Sequence, residues 1–171
     1  MRAEILVLRL IHILSGIMWL GSGMYTSFFL VPALSGSPAV MGQVLAGLQR
    51  RHFFLVLQLV AALTILSGLR LMWIDSAGFA SSFFTSRVGR TLSLGGVAAL
   101  IAAILSFGVG RPAMVRAGAI AASLAGSAEP GERERLTAQV NRLRKRGAIA
   151  GALSLGFGLL AGSAMAIARY V

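Results

Sequence analysis

The chain has 171 residues, of which 57% are hydrophobic and only 12% are charged. Soluble domains contain about 45–50% apolar and about 25% charged residues, so this composition argues against an ordinary soluble enzyme, a disordered chain or a nucleic-acid-binding domain. The net charge is +11, but the basic residues concentrate between apolar runs, and we therefore expect no nucleic-acid partner. There is no cysteine, which excludes disulfides and thiolate metal sites.

Four apolar runs follow one another along the chain. A transmembrane helix needs about 20 consecutive, mostly apolar residues, and the runs at about 5–34, 53–74, 91–110 and 147–167 meet this length. Short connections favour antiparallel neighbours. The sequence therefore predicts an all-α integral membrane protein, a single domain over residues 1–171, folded as an antiparallel four-helix bundle.

Basic residues are distributed unequally between the two sides of the predicted bundle. The segments after the first and third runs share ten of them: Arg50, Arg51, Arg111, Arg116, Arg133, Arg135, Arg142, Arg144, Lys145 and Arg146. The opposite side holds five: Arg2, Arg70, Arg87, Arg90 and Arg169. Because cytoplasmic loops carry the excess of Lys and Arg, we expect a multi-pass protein of a bacterial inner membrane with both termini in the periplasm.

The segment 111–146 is the one sizeable piece predicted outside the membrane. After the turn signal Pro130-Gly131, residues 132–146 are expected to form a cytoplasmic amphipathic helix between the third and fourth spans, with Leu136, Val140 and Leu143 as its apolar stripe. Its basic end is predicted to contact anionic lipid or a partner subunit. That end comprises Arg142, Arg144, Lys145 and Arg146.

Small residues recur at a spacing of four in the last two runs. Such residues let helix backbones approach closely in lipid, and those predicted to pack helices are Gly147, Gly151, Gly158, Gly162, Gly95 and Ala99. The pattern is compatible with packing inside this chain and with contact to another subunit.

Polar residues on one face of the first run point to a functional or packing site, since polar groups at membrane depth are costly. His12 belongs to this face, and Met165 and Met72 lie at a similar depth on other helices. Imidazole and thioether can bind haem iron or copper, and Arg9 and Arg70 could pair with haem propionates. The alternative is that His12 is a core residue hydrogen-bonded to a neighbouring helix.

Catalytic patterns are missing from the sequence. The apolar runs contain no Asp or Glu, and there is no Ser/His/Asp set and no His-Glu-x-x-His zinc motif. We therefore expect a protein that is not an enzyme.

The first helix resembles the opening helix of copper-resistance D-type (CopD-like) membrane proteins. The resemblance rests on His12, on Trp19-Leu20-Gly21 seven residues later and on Pro32-Ala33 at the end of the run, with Arg51-His52-Phe53 and Pro112-Ala113 as weaker matches. The membrane domain of a cytochrome-linked urate oxidase and the HemJ-type protoporphyrinogen oxidase begin with similar histidine-containing helices. The resemblance implies that His12 is a cofactor ligand; the intramembrane lysine of the HemJ-type pattern is absent here.

Two functions are compatible with these features. The first is a non-catalytic accessory or stabilising subunit of a larger inner-membrane complex, such as an energy-transducing one, with membrane lipids and other subunits as partners. The second is a haem b- or copper-binding protein that uses His12 for electron transfer or cofactor handling.

Overall fold

The computed structural model describes residues 2–34, 36–123 and 129–171, and these residues contain helices and no strand. Eight α-helices follow in chain order: α1 (Arg2–Tyr25), α2 (Val31–Leu34), α3 (Pro38–Arg50), α4 (Phe53–Asp75), α5 (Ser81–Thr85), α6 (Arg87–Ala103), α7 (Arg111–Ser123) and α8 (Pro130–Ile167). Two π-helical segments, Thr26–Leu30 and Ile104–Gly110, join α1 to α2 and α6 to α7, and a 3₁₀ turn, Ala168–Tyr170, ends the chain. The predicted all-α class is confirmed.

Within the described ranges, four continuous helical stretches are long and apolar enough to cross a membrane. They span Arg2–Leu34, Phe53–Asp75, Arg87–Ser123 and Pro130–Tyr170. Large apolar side chains point outwards along them, as Leu14 and Ile17 do with about two-thirds of their surface exposed. Eight of the ten buried hydrophobic residues in the described part of the chain are alanines. Small residues inside and large apolar residues outside are the arrangement expected of helices that pack in lipid.

Each π segment ends two residues before a proline. A proline lacks a backbone N–H, and its ring collides with the carbonyl four residues earlier. The residue before each proline instead donates to the carbonyl five residues earlier: Val31 N–H to Thr26 O, and Arg111 N–H to Ser106 O. The wider turn carries the helix through Pro32 and Pro112, which is why the third span continues beyond the predicted end at residue 110.

The third and fourth spans are longer than the sequence predicted. Residues 111–123, expected in a loop, continue the third span as α7. Residues 132–146 are helical, but they form the first part of α8 and not a separate helix. The helix runs from Arg146 into Gly147 without a break, so the change from charged to apolar composition is not a helix boundary. Leu136, Val140 and Leu143 are the less exposed residues of that part of α8.

The helix α3 was not predicted. Pro38 occupies its first turn, where the missing N–H costs no hydrogen bond. Met41, Val44, Leu45 and Leu48 form its half-buried stripe at spacings of three and four. A left-handed His52, with a φ of 54°, then connects α3 to α4.

The helices form two compact units, residues 1–100 with 157–171, and residues 101–156. In the first unit, contacts between α1 and α4 occur in reverse order along the two helices: Glu4 with Arg70, His12 with Thr64, and Ser15 with Thr64. In the second unit, Ser106 contacts Ser154 and Gly110 lies against Gly147. The expectation of a single domain over residues 1–171 stays a prediction.

Candidate functional site

His12 lies half-buried between α1 and α4 in the first unit. Its Nδ1 is 2.8 Å from the backbone carbonyl oxygen of Thr64. A carbonyl oxygen can only accept a hydrogen bond, so Nδ1 must carry the hydrogen and donate it. In a neutral imidazole this assignment leaves Nε2 with a free lone pair.

The Nε2 atom of His12 is 3.4 Å from the Sδ atom of Met165 on α8. A thioether sulfur has lone pairs and no hydrogen. At this distance the two atoms are in van der Waals contact, and a positive charge between them would strengthen the contact. That charge can be a proton on Nε2 or a metal cation bound by both atoms.

Gly68 of α4 provides the space for the imidazole ring. A Cβ atom at this position would lie 2.8 Å from Cε1 and 3.1 Å from Nδ1 of His12. Such distances are shorter than van der Waals contact, so the ring rests on the bare backbone of α4. Gly68 thus leaves room for the ring, and the Thr64 carbonyl sets its tautomer.

Three hydroxyl groups surround the histidine, and each bonds within the site. Thr64 Oγ1 is 2.8 Å from both Ser15 Oγ and Val60 O. Ser15 and Ser67 donate to carbonyls one turn earlier, at Ile11 and Leu63, and Ser67 Oγ is also 3.4 Å from Nδ1 of His12. The hydroxyls thus satisfy one another and the helix carbonyls, and leave the Nε2 side to Met165.

Met165 is held in place by a close approach of α8 to α6. A Cβ on Gly95 would lie 3.2 Å from Ala164 Cβ, 3.3 Å from Ala161 O and 3.6 Å from Met165 Cγ. The next residue, Gly96, faces Met72 of α4, whose Cε would lie 3.5 Å from a Cβ there. Both methionines predicted at the depth of His12 therefore lie against one Gly-Gly step of α6.

The two arginines of the predicted site lie elsewhere. Arg70 forms an ion pair with Glu4, with 2.6 Å between Nη2 and Oε1, and about half of the Arg70 side chain is exposed. Arg9 is exposed on α1. Neither contacts His12 or Met165 through any interaction found among the described residues.

The spacing of the two ligand atoms distinguishes between cofactors. A metal bonds nitrogen at about 2.0 Å and thioether or thiolate sulfur at about 2.3 Å, taking zinc distances as a guide, so an iron with trans axial ligands needs them roughly 4.3 Å apart. The observed 3.4 Å is shorter than this trans spacing. It is compatible with the two atoms binding one small cation.

The chemistry of the two side chains would favour one class of metal. Thioether and imidazole ligands suit copper(I), whereas carboxylates and water suit hard cations. Within the described residues, no group of three or more His, Cys, Asp or Glu side chains comes together. An Nδ1–H donated to a backbone carbonyl is also the usual support for a metal-binding histidine.

The small residues predicted to pack helices differ in what surrounds them. Gly95 contacts Ala161 and Ala164, Gly147 contacts Met114 and Gly110, and Gly158 and Gly162 contact Leu20. A Cβ on Gly151 would meet nothing within 4 Å, and Ala99 is half-buried. Four of the five glycines thus pack inside this chain.

Two features of the site were not predicted from the sequence: the Thr64 carbonyl and the Gly68 backbone that receive the imidazole. A signal was available, because Ala61, Thr64, Ser67 and Gly68 form a small-residue stripe on one face of α4. Such a stripe allows a neighbouring helix to approach closely. Read with His12 on α1, it would have indicated where the imidazole lies.

Comparisons with known proteins do not assign the chain to a family. No family model matches it, and no match was found among curated proteins or among solved structures. The resemblance to CopD-like proteins therefore stays an expectation, and a function has to be argued from the geometry around His12.

Proposed function

We propose that this chain is an integral membrane protein that binds copper(I) between His12 and Met165. One observation carries the proposal: Nε2 of His12 lies 3.4 Å from Met165 Sδ while Nδ1 is committed to the Thr64 carbonyl. This arrangement places a nitrogen and a sulfur atom next to each other. The hydrogen bond from Nδ1 to the Thr64 carbonyl orients the imidazole ring. Imidazole and thioether ligands suit this soft cation.

Met72 is the candidate for a further ligand. It lies against Gly96, next to the glycine that contacts Met165. Copper(I) accepts thioether ligands, and a second one would raise the affinity without adding charge inside the membrane. In this proposal the chain holds and passes on the ion; it does not catalyse a reaction.

The membrane setting belongs to the same proposal. We place the four spans as an antiparallel bundle in a bacterial inner membrane, with both termini in the periplasm and the basic half of α8 in the cytoplasm. The support is the ten-to-five distribution of basic residues. Reversed contact order between α1 and α4 supports an antiparallel pairing of the first two spans.

The test is a copper(I) titration of the full chain, purified in detergent without oxygen, against a chromophoric copper(I) chelator. We expect about one ion per chain. The substitution Met165→Leu keeps the side-chain volume but removes the sulfur, and should weaken copper(I) binding at least tenfold. Met72→Leu should have a smaller effect in the same direction.

The matched control is Met18→Leu. Met18 lies on α1 with 43% of its surface exposed, so its loss should leave copper(I) binding within about twofold. A wild-type chain that holds no copper(I) would contradict the proposal. Equal affinities for the Met165 and Met18 variants would contradict it as well.

The accessory-subunit role is a separate prediction. Gly151 and Gly156 on α8 are open to space, which leaves a small-residue step for another membrane helix. Solubilisation of native membranes in a mild detergent should then return the chain in a larger complex. A purely monomeric chain would argue against this role without touching the copper proposal.

A further inference from the structure

An open groove of about 340 Å³ lies in the second unit, between the second π segment and α8. Leu105 and Val109 line it from one side, and Ile149 and Leu153 from the other. About half of the surface of Ile149 and Leu153 is exposed. The groove therefore has an aliphatic floor that is open to whatever surrounds the helix.

Three cationic side chains line the same groove. Arg142, Lys145 and Arg146 recur at spacings of three and four on α8, ahead of Ile149 and Leu153 on the same face. None of the described residues that line the groove is acidic. The nearest carboxylate on α8, that of Glu134, lies eight residues before Arg142, or about 12 Å along the helix axis.

The groove crosses the point where α8 changes from charged to apolar sequence. Its cations end at Arg146, and the apolar stretch begins at Gly147. Leu153 lies seven residues after Arg146, about 10 Å along the helix axis. A ligand that fills the whole groove therefore carries negative charge at one end and hydrocarbon at the other.

We propose that this groove binds one anionic phospholipid molecule. Arg142, Lys145 and Arg146 bind the phosphate at the membrane interface, and Leu105, Val109, Ile149 and Leu153 contact an acyl chain. Basic pockets between transmembrane helices recognise lipid headgroups in this way. Arg144 belongs to the same basic run but does not line the groove. We therefore expect no contact between Arg144 and the lipid phosphate. The site is independent of His12.

The test is native mass spectrometry of the full, delipidated chain with added lipid. Dioleoyl phosphatidylglycerol and dioleoyl phosphatidylcholine have the same acyl chains and differ in headgroup charge. We expect one phosphatidylglycerol per chain, bound at least tenfold more tightly than phosphatidylcholine. The triple variant Arg142→Gln, Lys145→Gln, Arg146→Gln should lose this preference.

A control of equal net charge is Arg111→Gln, Arg116→Gln, Arg144→Gln. These residues are exposed and do not line the groove, so this variant should bind phosphatidylglycerol within about threefold of the wild type. Leu153→Gln should weaken phosphatidylglycerol binding while all the cations remain.

Several outcomes would overturn the proposal. They are equal binding of the two lipids, equal losses in the two triple variants, and displacement of phosphatidylglycerol by inorganic phosphate at matching concentration, which would indicate a free-anion site. Protection of this face by a co-purified protein, with no preference for phosphatidylglycerol, would identify a protein partner and equally overturn it.

Discussion

The two units each contain a polar cluster between apolar helices. The clusters differ in whether a lone pair remains after the hydrogen bonds are formed. In the second unit, Ser154 donates to Ala102 O at 2.8 Å and accepts from Ser106 at 2.7 Å. In the first unit, the imidazole of His12 donates once and leaves a lone pair beside a sulfur.

The difference follows from the side chains. A hydroxyl rotates until its single hydrogen finds an acceptor, so a serine pair can satisfy itself without a ligand. An imidazole ring has its two nitrogens on opposite sides, and fixing the hydrogen on one fixes the lone pair on the other. Hence the serine cluster is satisfied without a ligand, whereas the histidine cluster keeps the nitrogen lone pair on which the copper(I) proposal rests.

The largest effect is expected from Gly68→Ala. Its Cβ would lie 2.8 Å from His12 Cε1, so the ring has to leave its position. Overpacking of this kind costs about 1–3 kcal/mol, and copper(I) affinity should fall at least tenfold, measured by thermal unfolding in detergent and by chelator competition.

Gly156→Ala is the matched control, because a Cβ there meets nothing within 4 Å. It should leave copper(I) binding unchanged and stability equal or slightly higher, since alanine favours helix over glycine. If both variants bind copper(I) like the wild type, the ring position is not what creates the site.

Ser154→Ala should separate stability from copper binding. It removes the donor to Ala102 O and the acceptor for Ser106, and hydrogen bonds between membrane helices contribute about 0.6 kcal/mol on average and up to roughly 1.7. We expect a loss of about 1 kcal/mol and an unchanged copper(I) affinity. A drop in affinity would refute the view that this cluster serves packing alone.

Thr64→Val tests whether the backbone or the side chain of Thr64 supports His12. The substitution removes the bond to Ser15 but keeps the carbonyl that accepts from Nδ1. The cost should be near 0.6 kcal/mol, with copper(I) binding within about twofold of wild type. A tenfold weaker titration would show that the hydroxyl, and not the carbonyl, positions the ring.

The smallest effect is expected from Glu4→Gln. The Glu4–Arg70 ion pair is exposed, and such pairs contribute only about 0–1 kcal/mol. Unfolding in low and high salt should show a difference below about 0.5 kcal/mol that salt removes, and no change in copper(I) binding. A change in copper(I) binding would indicate that Arg70 belongs to the site, as predicted from the sequence.

Much of the fold could be predicted from the sequence because the length of an apolar run indicates a membrane-spanning helix. The four runs appear as four long helices, but the end of the third and the start of the fourth were misplaced, because composition and helix boundary differ there. Arg146-Gly147 changes composition within one helix, and a π turn carries the third span through Pro112. Neither effect leaves a mark in apolar run length.

The sequence predicted the depth of the site residues along the helices but not the direction in which each side chain faces. Counting 1.5 Å per residue put Met165 at the level of His12, and the structure brings the two into contact. The same counting suggested Arg70, whose side chain is paired with Glu4. Which way a side chain faces depends on close approaches at Gly68 and Gly95, and such approaches are tertiary information.

The most direct test of the copper proposal is X-ray absorption at the copper edge on the copper(I)-loaded chain, beside its Met165→Leu and Met18→Leu variants. The account predicts a nitrogen and a sulfur shell in the wild type, with the sulfur scattering reduced or lost in Met165→Leu and retained in Met18→Leu. A wild-type spectrum without sulfur, or a sulfur shell unchanged by Met165→Leu, would contradict it.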